Sequence, residues 1–232
     1  MKRTFSLVLA ALVALCLTAC GSGQTQPQSS AEPQSSAETV SGGWEIPAVS
    51  EAVSLPQEVQ EGFDKAAEQG LTPVALVAQQ VVAGTNDLLL CTDGSGYQMV
   101  VLYRDLQGGA EVTNSTPFPV EEYTQSAEEA VPAEPLSGGW SAPEEVTALP
   151  LPEDAQTAFD KALAGFTGSD VEPMALLGTQ VVAGMNYAIL CRVTPVTPDP
   201  IPSVQVVTVY ADLQDNASFT AFQMVDPADF NS

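Results

Sequence analysis

The chain has 232 residues, with 29 Asp and Glu against 6 Lys and Arg, a formal net charge of -23, and no histidine. A field of that sign repels nucleic-acid phosphates and anionic lipid headgroups, so neither is an expected partner. Without histidine, the usual general base, the Ser-His and Cys-His nucleophile pairs and the commonest zinc ligand are lost, so the expectation is a non-enzyme with no cofactor and no metal.

At the N-terminus, Lys2 and Arg3 precede an apolar run from Phe5 to Leu17. The run is too short to span a bilayer as a mature helix, and the layout is that of a cleaved signal peptide over residues 1–19. Its end, Leu17-Thr18-Ala19-Cys20-Gly21, resembles the bacterial lipobox. That resemblance implies acylation of Cys20, export, and a place on the outer face of a bacterial cell membrane, held there by the lipid anchor alone. Cys16 falls in the discarded segment. The rest of 20–40 is Ser, Gln, Pro, Glu and Ala with almost no large apolar side chain. Burial there cannot offset chain entropy, so a disordered stalk is expected.

Beyond the stalk the chain repeats itself. Ser41-Gly42-Gly43-Trp44 returns as Ser137-Gly138-Gly139-Trp140, and Gln80-Val81-Val82-Ala83-Gly84-Thr85-Asn86 returns as Gln180-Val181-Val182-Ala183-Gly184-Met185-Asn186. Two modules follow, 41–124 and 137–232, separated by a Glu-, Ala- and Pro-rich linker at 125–136. In the first, Val59, Phe63, Ala66 and Ala67 share one helical face, with Gly70 as a stop. In the second the same face is Ala155, Phe159, Ala162 and Leu163. Strands are expected at Val74–Val82, Asp87–Cys91, Gln98–Tyr103 and Ala110–Asn114. Their counterparts are Met174–Val182, Tyr187–Cys191, Val204–Tyr210 and Ser218–Met224. The expected class is α+β, two tandem modules of one helix packed on an antiparallel β-meander, with a short strand around Trp44 or Trp140 joining each sheet. Alternate turns of a meander share an edge. The turn at Gly84 should therefore lie beside Leu106 to Gly109, and that at Gly184 beside Leu213 to Asn216. The extra length of the second copy, Thr194 to Ser203, belongs to the opposite edge.

The repeated heptad reads as a hairpin tip, yet it carries valines where turns usually carry polar residues. It resembles the Gln-x-Val-x-Gly first binding loop of the cystatins, in wording close to the stefin branch, and the order of helix and strands is similar over most of both copies. The resemblance implies two cystatin-like modules, each a wedge that occludes the cleft of a papain-like cysteine protease. Gln80, Val82 and Gly84, with Gln180, Val182 and Gly184, match the motif's fixed positions; Val81, Ala83, Val181 and Ala183 complete the loops. Gly42, Gly43, Gly138 and Gly139 correspond to the family's N-terminal glycine segment. Leu106-Gln107 and Leu213-Gln214 stand where secreted members carry Pro-Trp in a second hairpin, and the disulfides of that branch are missing. A monomeric protein-binding lipoprotein is expected; the alternative is a non-inhibitory display or spacer module. Cys91 and Cys191 occupy matching strand positions, read first as inward-facing small hydrophobes and second as a disulfide between copies. The lipobox resemblance implies a bacterium, so the sequons at Asn114 and Asn216 are given no weight.

Overall fold

A computed structural model of the chain describes residues 42–67, 70–124, 138–143, 146 and 148–231. The segments expected as signal peptide, acylated Cys20 and stalk, together with Ser41, the expected linker at 125–136 and Ser137, lie outside the described residues. No helix among the described residues is long and apolar enough to cross a membrane.

The elements run β1 (Trp44–Glu45), α1 (Val49–Ser54), α2 (Gln57–Ala66), β2 (Thr72–Val81), β3 (Thr85–Thr92), β4 (Tyr97–Arg104) and β5 (Ala110–Pro117), then a 3-10 turn at Val120–Tyr123. The second copy gives α3 (Glu153–Ala164), β6 (Ser169–Val182), β7 (Gly184–Pro195), β8 (Ser203–Asp212) and β9 (Ala217–Val225), with a 3-10 turn at Pro227–Phe230. The two antiparallel sheets have strand orders β1-β2-β3-β4-β5 and β6-β7-β8-β9. Pro56 and Pro152 stand at the N-caps of α2 and α3, where a missing N–H costs nothing. Acidic residues in each first turn and Lys65 or Lys161 in each last turn complement the helix dipole.

Three differences from the sequence reading stand out. The first copy carries an additional short helix, α1, whose six residues lack the length to show a period. Trp140 heads no strand; its neighbour Ser141 forms an isolated bridge with Thr179, whereas Trp44 lies in β1 opposite Gln80. The largest difference concerns the sheets, which are covered on both faces.

One face of each sheet packs on its own helix. Val59 and Phe63 of α2 meet Leu76, Leu89, Cys91, Val100 and Leu102. In the second copy Ala155, Phe159 and Ala162 of α3 meet Ile189, Cys191, Val207 and Val209. The alternate residues of the same strands form one shared core, in which Leu88, Leu90, Met99 and Val101 of the first sheet lie with Ala188, Leu190, Val204 and Val206 of the second. Both sheets belong to one compact unit. The layers therefore run helix, sheet, sheet, helix. Each fully buried Leu or Phe in such a core contributes about 1.5–3 kcal/mol relative to exposure. The Tyr97 hydroxyl donates to the Leu176 carbonyl at 3.1 Å, and Asn114 Nδ2 donates to the Phe230 carbonyl at 2.8 Å, so polar links cross between copies. Trp44 and Trp140 are half-buried against the shared core.

Two-sided burial leaves the sheet edges and turns as the exposed working surfaces. The β7–β8 connection, where the second copy is longer, lies opposite the Gly184 turn, as the meander requires.

Candidate protein-binding edge

The duplicated heptad closes the β2–β3 hairpin in one copy and the β6–β7 hairpin in the other. Gln80 faces Asn86 across the ladder, and Gln180 faces Asn186. Asn86 Nδ2 donates to Gln80 Oε1 at 2.9 Å, and Asn186 Nδ2 to Gln180 Oε1 at the same distance. Gln80 Nε2 also donates to the Gly42 carbonyl at 3.0 Å, and the Gly42 N–H reaches the Val81 carbonyl at 3.2 Å. The glutamine thus ties three neighbouring backbone segments together. Gln80 is buried, so of the loop residues expected to touch a partner it is instead an internal staple.

Gly84 and Gly184 are fixed by space. A Cβ on Gly84 would collide with the Arg104 carbonyl oxygen and come within 2.8 Å of the Tyr103 ring; on Gly184 it would meet the Ala211 carbonyl oxygen and lie 3.0 Å from the Tyr210 ring. Those tyrosines clamp the tips. The Tyr103 hydroxyl donates to the Ala83 carbonyl at 2.9 Å and Tyr210 to the Ala183 carbonyl at 2.8 Å. Neither tyrosine was singled out as a site residue, although both recur in the repeated Tyr-x-Asp-Leu-Gln stretch.

The Gln, Asn and Gly of the heptad, and the carbonyl of its Ala, therefore have internal work. The valines do not. Val81 and Val82 are 41% and 42% exposed and Val181 is 63% exposed, while Val182 is half-buried. Ala83 and Ala183 are exposed beside them.

The β4–β5 and β8–β9 turns lie on the same edges. Asp105 Oδ1 accepts from the N–H groups of Gln107 and Gly109 at 2.7 and 2.8 Å, and Asp212 Oδ1 accepts from Gln214 and Asn216 at 2.8 and 2.9 Å. These are side-chain-closed turns, with Gly108 at φ +86° and Asp215 at φ +64° supplying the left-handed position. The Asn216 side chain, then its backbone N–H, hold the Asp212 carboxyl below its ordinary range. Each turn lifts a leucine into solvent, Leu106 at 82% and Leu213 at 78% exposure, with Gln107 and Gln214 exposed alongside. Of eight large apolar side chains strongly exposed among the described residues, five (Val81, Val82, Leu106, Val181 and Leu213) sit on these turns.

The glycine segments differ between copies. Gly42 and Gly43 are exposed and run beside the first hairpin through the Gly42 contacts above, with Gly42 at φ +97°. Gly138 and Gly139 are also exposed, and Ser141 carries the backbone link to β6.

Below the tips, the first copy holds an ion pair: Arg104 donates through Nε and Nη2 to the fully buried Asp87, which also accepts from Gln79 at 2.7 Å. Cys91 and Cys191 are free and buried against their separate helices, not against each other. Burial pushes the Cys91 thiol up to about 12 and raises Cys191 as well, which removes nucleophilic character from both.

No protein-family model, curated protein or solved structure matches the chain.

Proposed function

We propose that the chain is a surface-anchored protein-binding lipoprotein whose two hairpin edges act as occluding wedges against papain-like cysteine proteases. The observation that carries this reading is the repeated pair of apolar tips on one sheet edge: Val81, Val82 and Leu106 in the first copy, Val181 and Leu213 in the second. Folding has no use for these side chains in solvent, while their backbones are held rigidly by Gln-Asn, Tyr-carbonyl and Asp-amide hydrogen bonds. A pre-ordered apolar wedge loses little entropy on entering a cleft. A leucine on the second hairpin supplies apolar area where the resemblance lacked its Pro-Trp pair. Inhibition by this route needs no chemistry from the wedge, only burial of the tips at about 25 cal/mol per Å² of apolar area removed from water.

A second reading is favoured by one observation. Because Gln80, Asn86, Gly84 and the Ala83 carbonyl serve the hairpin itself, duplication of the heptad follows from folding needs alone, which suits a display or spacer module. Steady-state titration of papain with the full chain separates the two. The wedge reading expects competitive inhibition at micromolar concentration or below, with the chain recovered uncut; full protease activity at those concentrations contradicts it and leaves the display reading.

A further inference from the structure

The second copy's edge carries a cavity at the position where the first copy places an arginine. In the first copy Arg104 lies across α2: a Cβ on Gly62 would come within 3.0 Å of Arg104 Cδ and 3.3 Å of Cγ. Its guanidinium is paired with Asp87, and Glu58 adds to the acidic field that raises the Arg104 pKa, after the Asp87 hydrogen bond. The equivalent positions in the second copy, aligned through Pro56/Pro152, Asn86/Asn186 and Tyr103/Tyr210, are Asp154 for Glu58, Ala158 for Gly62, Tyr187 for Asp87 and Ala211 for Arg104. All four line a cavity of about 360 Å³. The first copy has its own arginine at this place; the second has an alanine there, and a cavity beside it.

The walls suit a cation. Asp154 is close enough to Tyr187 to help raise the phenol's pKa, behind the larger effect of burial. Glu153, Asp212 and Asp215 also line the cavity, as does its own cation, Lys161, whose Nζ donates to the Asp215 carbonyl at 2.9 Å. Tyr187 and Ala158 provide an aromatic and an aliphatic wall for the planar part of a guanidinium. Gly184 and Leu213 belong to the same lining, so the opening adjoins the second copy's tips.

We infer that the second copy's edge takes an arginine side chain from a partner protein into this cavity, in the place that Arg104 occupies in the first copy. The partner engaging this edge therefore presents a guanidinium beside an apolar contact surface, and the first copy, already occupied, does not select for one. The inference stands on the cavity rather than on protease occlusion: a guanidinium site with no papain inhibition would keep it and remove the wedge reading.

The test is methyl and amide NMR on the full chain, titrated with N-acetyl-L-arginine amide. Saturable shifts are expected at Ala158, Met185 and Ala211, with none at Gly62 or Leu102 of the first copy. The neutral isostere N-acetyl-L-citrulline amide should give no saturable response. Ala211→Arg, which restores the first copy's own occupant, should abolish binding. Asp154→Asn, a mild change on an exposed helix turn, should weaken it about fivefold. Equal response to the citrulline compound, shifts scattered over all acidic surfaces, or unchanged binding in both variants would overturn the inference.

Discussion

The bases of the two hairpin edges carry the same backbone on opposite chemistry. In the first copy, Asp87 is buried and satisfied by Arg104 and Gln79; in the second, Tyr187 and Ala211 join the apolar cluster under α3. The tips above them are nevertheless alike, with the same Gln-Asn staple, the same tyrosine clamp and the same excluded Cβ at glycine. Tip geometry is thus set within the turn and its clamp, and the base is free to vary. A buried ion pair is weak evidence for stability, since an apolar replacement of similar volume often serves as well, whereas removing one partner leaves a charge stranded.

That contrast predicts the largest effect. Arg104→Met should lower the unfolding free energy by about 3–5 kcal/mol, because it strands the Asp87 carboxylate. Ala211→Met, at the matching half-buried position where it strands no charge, should change it by less than about 1 kcal/mol. Denaturant midpoints measure both, and equal costs would break the comparison. Joint replacement of Asp87 by Tyr and Arg104 by Ala should recover most of the loss from Arg104→Met by copying the second base into the first.

The glycines come next, and here the copies should agree. Gly84→Ala and Gly184→Ala each force a Cβ against a carbonyl oxygen and should cost about 3 kcal/mol, read from the same unfolding curves. A large cost at one and none at the other would mean the tips are not equivalent. Smaller again, Tyr103→Phe and Tyr210→Phe each remove one partly exposed hydrogen bond and should cost about 1 kcal/mol, seen as faster amide exchange at the tips.

The smallest effect is acid-dependent. The carboxyl of Asp212 is held below its ordinary range in the folded chain, so its support for the β8–β9 turn is present above the unfolded carboxylate pKa. It is lost as pH falls through the lowered folded value. The Asn216 amide signal should therefore keep its neutral-pH position through the ordinary carboxylate range and move only at lower pH.

Much of this arrangement is legible in the sequence. Helices α2 and α3 follow from their apolar period, the long strands are read from their apolar stretches, and the meander rule puts the two turns of each copy on one edge; α1 is too short to be read this way. The face-to-face sheets were not read, although a sign of them was present: Leu88-Leu89-Leu90-Cys91 and Met99-Val100-Val101-Leu102 are unbroken apolar runs, as strands buried on both faces require. The heptad was overread in one respect. The resemblance marked Gln80 and Gly84 as binding residues; their contacts with Gly42 and the Arg104 carbonyl, which come from other segments, and with Asn86 across the hairpin give them structural roles that a lone sequence does not display. The Arg104 cavity difference was equally hidden, since it depends on a helix and two strands converging.

The central claim is that the exposed tips, and not the residues that build them, meet the partner. Papain inhibition by a chain carrying Val81→Asp, Val82→Asp, Val181→Asp and Leu213→Asp tests it most directly, because all four side chains lie outside the buried clusters. The account predicts that the unmodified chain inhibits, and that this variant unfolds at the same denaturant concentration yet loses inhibition by at least about a hundredfold, as expected when a desolvated apolar contact is replaced by charge. Absence of inhibition by the unmodified chain, or undiminished inhibition by the variant, would contradict it.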